Sequence, residues 1–190
     1  MTRSDYLAIP ALNASTIKGY YQQHAAPSFV LQNGIDLHYG VLEASPEERA
    51  EAHQHVYNAI QSSPVFAAIF NGADKEVPVV STVEIGGLVV DGKCIPDIRN
   101  RQHGIIIDIK TTSAKDVHKF GQDMIAHNNH IQALWNCLIC GIPLTNFYFW
   151  GVNGSTKKKG ATAMDILMYR CTPEQYQEAE QKIIQYLTKQ

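Results

Sequence analysis

The pattern of hydrophobic and polar positions along the 190-residue chain changes character at Val77. Before that point the segments read as helices. Asn13 or Ser15 can cap a helix over TIKGYYQQH, because their side-chain oxygens accept from free N–H groups of the first turn. A second helix is predicted around IDLHYGVLEA. Ser45-Pro46-Glu47-Glu48 starts a third, with Ser45 at the N-cap, Pro46 at the first helical position and two acids facing the positive end of the helix dipole. SPVFAAIF adds a short apolar helix.

From Val77 onward VPVVSTVEI, LVVDGKCIPDI and GIIIDIK are short, β-branched and punctuated by Gly-Gly, Asp-Gly and Asn100–Gly104. That pattern predicts a meander of about three strands. Asp91-Gly92 is a tight-turn signal. Two helices follow, over Lys115–His127 and Asn129–Cys140, and Gly141-Ile142-Pro143 stops the second. NFYFWGV and TAMDILMYR read as strands joined by the polar loop Asn153–Gly160, and Thr172-Pro173-Glu174 opens a final amphipathic helix. The order implies an α/β fold with a mixed central β-sheet flanked by helices. A chain of this length suits one domain over 1–190, with a helical part at 1–75 and an αβ core at 76–190.

Composition narrows the class. A hydrophobic content of 45% excludes wholesale disorder. No apolar run approaches the roughly 20 residues of a membrane helix, and MTRSDYLAIPALNAST lacks the apolar stretch of a signal peptide. Cys94, Cys137, Cys140 and Cys171 are too few and too irregular for a secreted disulfide framework. The expectation is a soluble protein of the reducing cytoplasm, with no membrane partner. Cys137-x-x-Cys140 lies inside the apolar stretch IQALWNCLIC, which favours buried small hydrophobes over a metal or redox motif. A net charge of −2 excludes histone-like binding through bulk positive charge but leaves room for a local basic channel.

Candidate chemistry concentrates in KCIPDIRNRQHGIIIDIKTT, Lys93 to Thr112. Asp108 and Lys110 interrupt an apolar strand two residues apart, so their side chains share one face. A charged pair in a strand that otherwise reads as buried is costly unless it is used. Asp97 ends the preceding strand, and a hairpin of that length can bring it against Asp108. Glu84, one strand earlier, can approach from the same side. Three carboxylates and a lysine at one point offer the hard oxygen ligands that Mg²⁺ takes, with positions left for water and phosphate.

These residues carry a resemblance. Pro96-Asp97, then Asp108-Ile109-Lys110 and two threonines, resembles the PD-(D/E)xK nuclease superfamily. LNASTIKGYYQQHAAPSF resembles the opening of RecE-like exonucleases, Gly34 to His38 with YGVLEASP resembles their G-x-x-x-H helix, and His130-Ile131-Gln132 resembles their H-x-Q helix. The chain is thus similar to the RecE and phage lambda exonuclease group of alkaline exonucleases. The resemblance implies a restriction-endonuclease-like core and a Mg²⁺-dependent 5′→3′ double-strand DNA exonuclease that leaves 3′ single-stranded tails for recombination. Mn²⁺ would substitute for Mg²⁺.

The resemblance also assigns roles. Asp97 and Asp108 become the main metal ligands with the carbonyl of Ile109. Glu84 becomes a further acid, acting through a second metal or bound water. Lys110 activates the attacking water or stabilises charge on the phosphate, His38 stands beside the metals, and Gln132 contacts substrate or water. Ser15 becomes a contact to the 5′-phosphate; apart from the resemblance, Thr111 and Thr112 follow the strand of Asp108 and can hydrogen-bond the same phosphate, and the charge of the run Lys157, Lys158, Lys159 between two strands can touch DNA phosphate. Relatives often place Tyr four residues after the glutamine, where this chain has Asn136. They also use an arginine on the phosphate, to be sought here among Arg3, Arg49, Arg99, Arg101 and Arg170. A ring-shaped homotrimer threaded by DNA ends and a single-strand annealing partner are implied as well. A structure-specific or restriction-like endonuclease and a non-catalytic DNA-binding module are the alternatives on the same fold.

Overall fold

The computed structural model describes residues 3–21, 36–49, 51–152 and 165–189. The run Lys157–Lys159 and the loop Asn153–Gly160 lie outside the described residues, as do Gly34 and Ile35. Helices α1 (Arg3–Ala8) and α2 (Ala14–Tyr21) open the chain. Asn13 caps α2, its Oδ1 accepting from the Thr16 N–H at 2.9 Å. Asp36–His38 is helical and runs into a π-helical turn, Tyr39–Glu43. Ser45 caps a single turn only, its Oγ accepting from the Glu48 N–H at 3.4 Å. The helix expected there, α3, spans Glu51–Gln61, and α4 spans Pro64–Asn71 behind a Ser63 cap.

Five strands form the main sheet in the order β1 (Asp74–Lys75), β4 (Ile98–Asn100), β5 (Ile105–Thr111), β6 (Phe147–Val152), β7 (Leu167–Tyr169). The pair β5–β6 is parallel, with Asp108 opposite Phe149, and the other pairs are antiparallel. Helices α5 (Val117–Ala126) and α6 (Asn129–Cys140) supply the crossover between the parallel strands, and α7 (Pro173–Leu187) closes the chain. Among the described residues no helix is long and apolar enough to cross a membrane.

The expected three-strand meander is corrected in two ways. Strands β2 (Val79–Ile85) and β3 (Leu88–Cys94) form a separate two-stranded hairpin. LVVDGKCIPDI is therefore not one strand: β3 ends at Cys94 and β4 begins at Ile98 in the other sheet. Pro96 lacks the N–H that a continuing ladder would need. Nor is Asp91-Gly92 a turn. It pairs with Thr82 and Ser81 inside the hairpin, and the reversal falls at Gly86-Gly87, whose φ values are +57° and +76°. Gly92 serves close approach instead: a Cβ there would meet Ile139 Cδ1 at 2.2 Å and Trp135 Cζ2 at 2.7 Å. Helix α6 thus lies directly on the hairpin, and Trp135 Nε1–H donates to the Lys93 carbonyl at 3.2 Å.

Two apolar layers sandwich the main sheet. Ile106, Phe147 and Phe149 pack with Phe120, Trp135 and Ile183 on one face. Ile98, Ile107, Ile109 and Trp150 pack with Val41, Ile60 and Phe70 on the other. Each fully buried large side chain contributes about 1.5–3 kcal/mol, which makes β5 a rigid platform. Lys93 is buried within this frame and donates to the carbonyls of Tyr6 and Ile9 at 2.9 and 2.8 Å, tying α1 to the hairpin.

Candidate active site and metal centre

Strand β5 builds the site through its period of two. Ile107 and Ile109 point toward the layer containing α3 and α4, so Asp108 and Lys110 emerge on the opposite face, toward α6. Asp108 is 1% exposed. Its Oδ2 lies 2.6 Å from Lys110 Nζ, and its Oδ1 accepts from Gln132 Nε2–H at 2.7 Å. Gln132 closes the triangle by accepting from Lys110 Nζ at 3.4 Å. Burial would pull the Lys110 ammonium down, but the charges of Asp108 and Asp97 hold its pKa above the ordinary value. The lysine therefore stays protonated.

A second ammonium reaches the same place from α2. Lys18 Nζ donates to Asn129 Oδ1 at 2.5 Å and to Gln132 Oε1 at 3.5 Å. Burial and the neighbouring Lys110 charge push Lys18 down to about 8.

Asp97 sits at the corner between the hairpin and β4. Its Oδ2 accepts the Ile109 N–H at 2.7 Å, so it binds the backbone of the residue between Asp108 and Lys110. His38 Nε2 lies 2.9 Å from the Ile109 carbonyl oxygen and 3.5 Å from Asp97 Oδ2. His38 Nδ1 is 3.7 Å from Glu76 Oε1. Burial pushes Asp97 up, and the charge of Asp108 pushes the same way. Burial alone would lower His38, but hydrogen bonding to Glu76 and the charge of Asp97 outweigh it and raise the ring to about 9. The imidazolium supplies positive charge that this acidic corner requires.

One potential ligand atom from each of His38, Glu76 and Asp97 falls within 4.8 Å of the others. Once a cation displaces the His38 proton, two carboxylates and one neutral imidazole form a donor set that fits a divalent ion. Glu76 holds a left-handed backbone, φ +50°, uncommon for a residue with a Cβ, and its N–H donates to the Asp97 carbonyl at 3.1 Å. Asp108 stands beside this trio rather than within it.

The other sequence-derived candidates are distributed as follows. Glu84 does not reach the site. It pairs with Val89 near the tip of the hairpin, five residues beyond the Val79–Cys94 end, about 17 Å at a strand's rise per residue. It lines a different cavity of about 750 Å³ with Leu138, Pro143, Arg170 and Tyr176. The acid actually present in the corner is Glu76. Ser15 is exposed in the first turn of α2, the helix that carries Lys18 inward. Thr111 ends β5, and the Thr112 Oγ1 accepts from the Ala114 N–H at 3.0 Å. Asn136 is buried, as is His130, whose Nε2 lies 3.6 Å from Glu178.

Of the arginines whose side chains are described, none joins the cluster. Arg49 holds the carbonyls of Gly40 and Ala44, Arg99 and Arg101 hold Asp74, and Arg170 holds the Thr145 carbonyl. Lys18 and Lys110 are the cations in place. Sequence reasoning missed Lys18, Asn129 and Glu76. Asn129 had one usable signal, its position one helical turn before Gln132. Glu76, beside Val77-Pro78, had none.

The chain belongs to the PDDEXK-like family: the model for the PDDEXK-like domain of unknown function (DUF3799) matches residues 27–137, more than half its length. Among solved structures it is similar to a candidate exonuclease from Eubacterium rectale, at 15% identity and a TM-score of 0.57, covering 100% of this chain and 84% of that one. A phage-related exonuclease from Haemophilus somnus 129PT aligns at 10% identity and a TM-score of 0.39, over 98% of this chain and 99% of that one. The first likeness shows the fold; the second is too distant to carry an argument. No curated protein matches the chain.

Proposed function

We propose that the chain is a metal-dependent deoxyribonuclease that hydrolyses duplex DNA from its 5′ ends and leaves 3′ single-stranded tails. One observation carries this reading: the Asp97 carboxylate accepts the N–H of Ile109 at 2.7 Å, the residue between Asp108 and Lys110. Two acids and a lysine drawn from separate elements thereby share one strand end, which suits phosphodiester hydrolysis.

His38, Glu76 and Asp97, with Asp108 and the Ile109 carbonyl alongside, would hold the cation. Mg²⁺ there would lower the pKa of water and offset charge developing on the phosphate, and the mixed donor set also suits Mn²⁺. Lys110, kept protonated by its carboxylate neighbours, places positive charge where water attacks and where negative charge grows. Gln132 orients both members of the Asp108–Lys110 pair. Lys18 adds a second ammonium for phosphate. Ser15, Thr111 and Thr112 are assigned to the 5′-phosphate. The same reading includes a homotrimeric ring, which sedimentation tests, and a single-strand annealing partner, which co-purification tests.

The experiment compares linear duplexes, labelled at the 5′ or the 3′ end in separate reactions, with a covalently closed circle. With Mg²⁺ the linear DNA is consumed from its 5′ termini and the circle survives. Asp108→Ala and EDTA each abolish cleavage. Nicking of the circle would replace the exonuclease by an endonuclease, and early loss of the 3′ label would reverse the polarity. Full activity in metal-free buffer would remove the metal from the mechanism.

A further inference from the structure

The four cysteines do not behave alike once the chain is folded. All are free thiols. Cys137 and Cys171 are buried in the apolar layer around α6 and α7, as their sequence context predicts. Cys140 is not: it is the last residue of α6, half-buried, and its Sγ lies 3.7 Å from Cys94 Sγ. Cys94 is the last residue of β3 and is buried. The two sulfurs thus meet across two element ends 46 residues apart in the chain.

We infer that Cys94 and Cys140 are a dithiol modification site that closes to an intramolecular disulfide when the protein meets a hydroperoxide. Three features of the fold support this. A disulfide bond is about 2.05 Å long, so the sulfurs need to close by only about 1.7 Å from their separation. The chain immediately after Cys140 has open space beside it. Gly141 follows Cys140 at φ +64°, and even an added Cβ there would meet nothing within 4 Å. Finally, Arg99 and Arg101 stand near the Cys140 sulfur and favour its thiolate. Arg99 Nε is buried with no hydrogen-bond partner among the described residues.

The two thiols take different parts. The hydrogen bond with Cys94 lowers the Cys140 pKa despite burial, with Arg99 assisting, whereas the hydrogen bond with Cys140 and burial raise that of Cys94. Burial also raises Cys137 and holds Cys171 at about 12. Cys140, half-buried at a helix end whereas Cys94 is buried, is the thiol a peroxide can reach and therefore the attacking one. It breaks the peroxide O–O bond, becomes a sulfenic acid and releases hydroxide from hydrogen peroxide or the alkoxide from an organic hydroperoxide. The Cys94 thiol then displaces the sulfenic oxygen: an S–S bond forms, and the oxygen leaves as water with the Cys94 and sulfenic protons. Two thiols are oxidised and one peroxide is reduced to the level of water.

The site stands apart from the nuclease reading, and its test does too. Full-length protein is treated with hydrogen peroxide, remaining thiols are alkylated, and peptides are mapped without reduction. The expected result is loss of two thiols per chain and a single cross-link joining the Cys94 peptide to the peptide holding Cys140. Dithiothreitol reverses it. Cys137→Ser and Cys171→Ser still form it, and Cys140→Ser abolishes it while leaving Cys94 reduced. The wild-type map alone decides the matter if a variant fails to fold. A cross-link through Cys137 or Cys171, a disulfide between two chains, or sulfinic acid at Cys140 with Cys94 still a thiol would each overturn the assignment.

Discussion

Replacing Lys110 with methionine isolates the energetics of the charged pair on β5. The substitution keeps most of the apolar stem and removes the ammonium 2.6 Å from Asp108. Asp108 is 1% exposed and Lys110 24%, so the carboxylate is left buried with the Gln132 amide as its remaining hydrogen bond. Breaking a buried pair from one side costs about 3–5 kcal/mol. The partial exposure of Lys110 puts the value near the lower end, about 3 kcal/mol, a sizeable part of the roughly 5–15 kcal/mol that holds a domain folded. With a urea slope of about 2 kcal/mol/M, the unfolding midpoint falls by about 1.5 M.

The partner variant makes the argument refutable. In the double variant Asp108→Asn/Lys110→Met both charges are gone, and the new amide still accepts from Gln132. Its midpoint returns to within about 0.5 M of wild type, because a buried pair removed as a whole costs little. The assay is urea unfolding of all four members of the cycle in EDTA. Lys110→Met within about 0.5 M of wild type, or a double variant as unstable as Lys110→Met, would show that the pair is not desolvated as described. Both proteins lacking Lys110 are expected to bind duplex DNA and to lose turnover by about 10²–10⁴-fold, the scale of a lost electrostatic or proton-transfer contribution.

Three further outcomes test the corner around Asp97. Glu76→Gln lowers the initial cleavage rate at least about 10²-fold, whereas Glu84→Gln stays within a few-fold of wild type; the reverse order would restore Glu84 to the site. His38 is raised from 6.5 to about 9, so its stabilisation, at most about 3 kcal/mol, is fully present below pH 6.5 and lost as pH rises through 9. Urea midpoints in EDTA should fall across that window for wild type and stay flatter for His38→Gln. Lys18 has the opposite sign: its charged form is disfavoured, with the pKa down to about 8. Lys18→Met therefore stabilises the fold at pH 7 while raising the KM for DNA, and an unchanged KM would remove Lys18 from phosphate binding.

The elements legible in the chain were those governed by local physics. The helix start at Asn13 followed from a side-chain oxygen that can accept a first-turn N–H, and it is observed doing so, as is Thr172 at the start of the last helix, whereas Ser45 caps one turn and the helix begins only at Glu51. Asp108 and Lys110 share a face because a strand's side chains alternate with a period of two, whatever surrounds it. Tertiary structure decided the rest. Nothing local distinguishes Glu84 from Glu76. The break at Ile95-Pro96 sends the hairpin away as a separate sheet and carries Glu84 out with it, while pairing of β1 with β4 brings Glu76 back to Asp97. Asp91-Gly92 has the composition of a turn, yet the packing of Trp135 and Ile139 demands a glycine in mid-strand. Lys18 reaches Gln132 across 114 residues of chain, and Cys94 meets Cys140 only where β3 ends beneath α6. Periodicity constrains neighbours within a few residues, and contacts between distant segments depend on how whole layers pack.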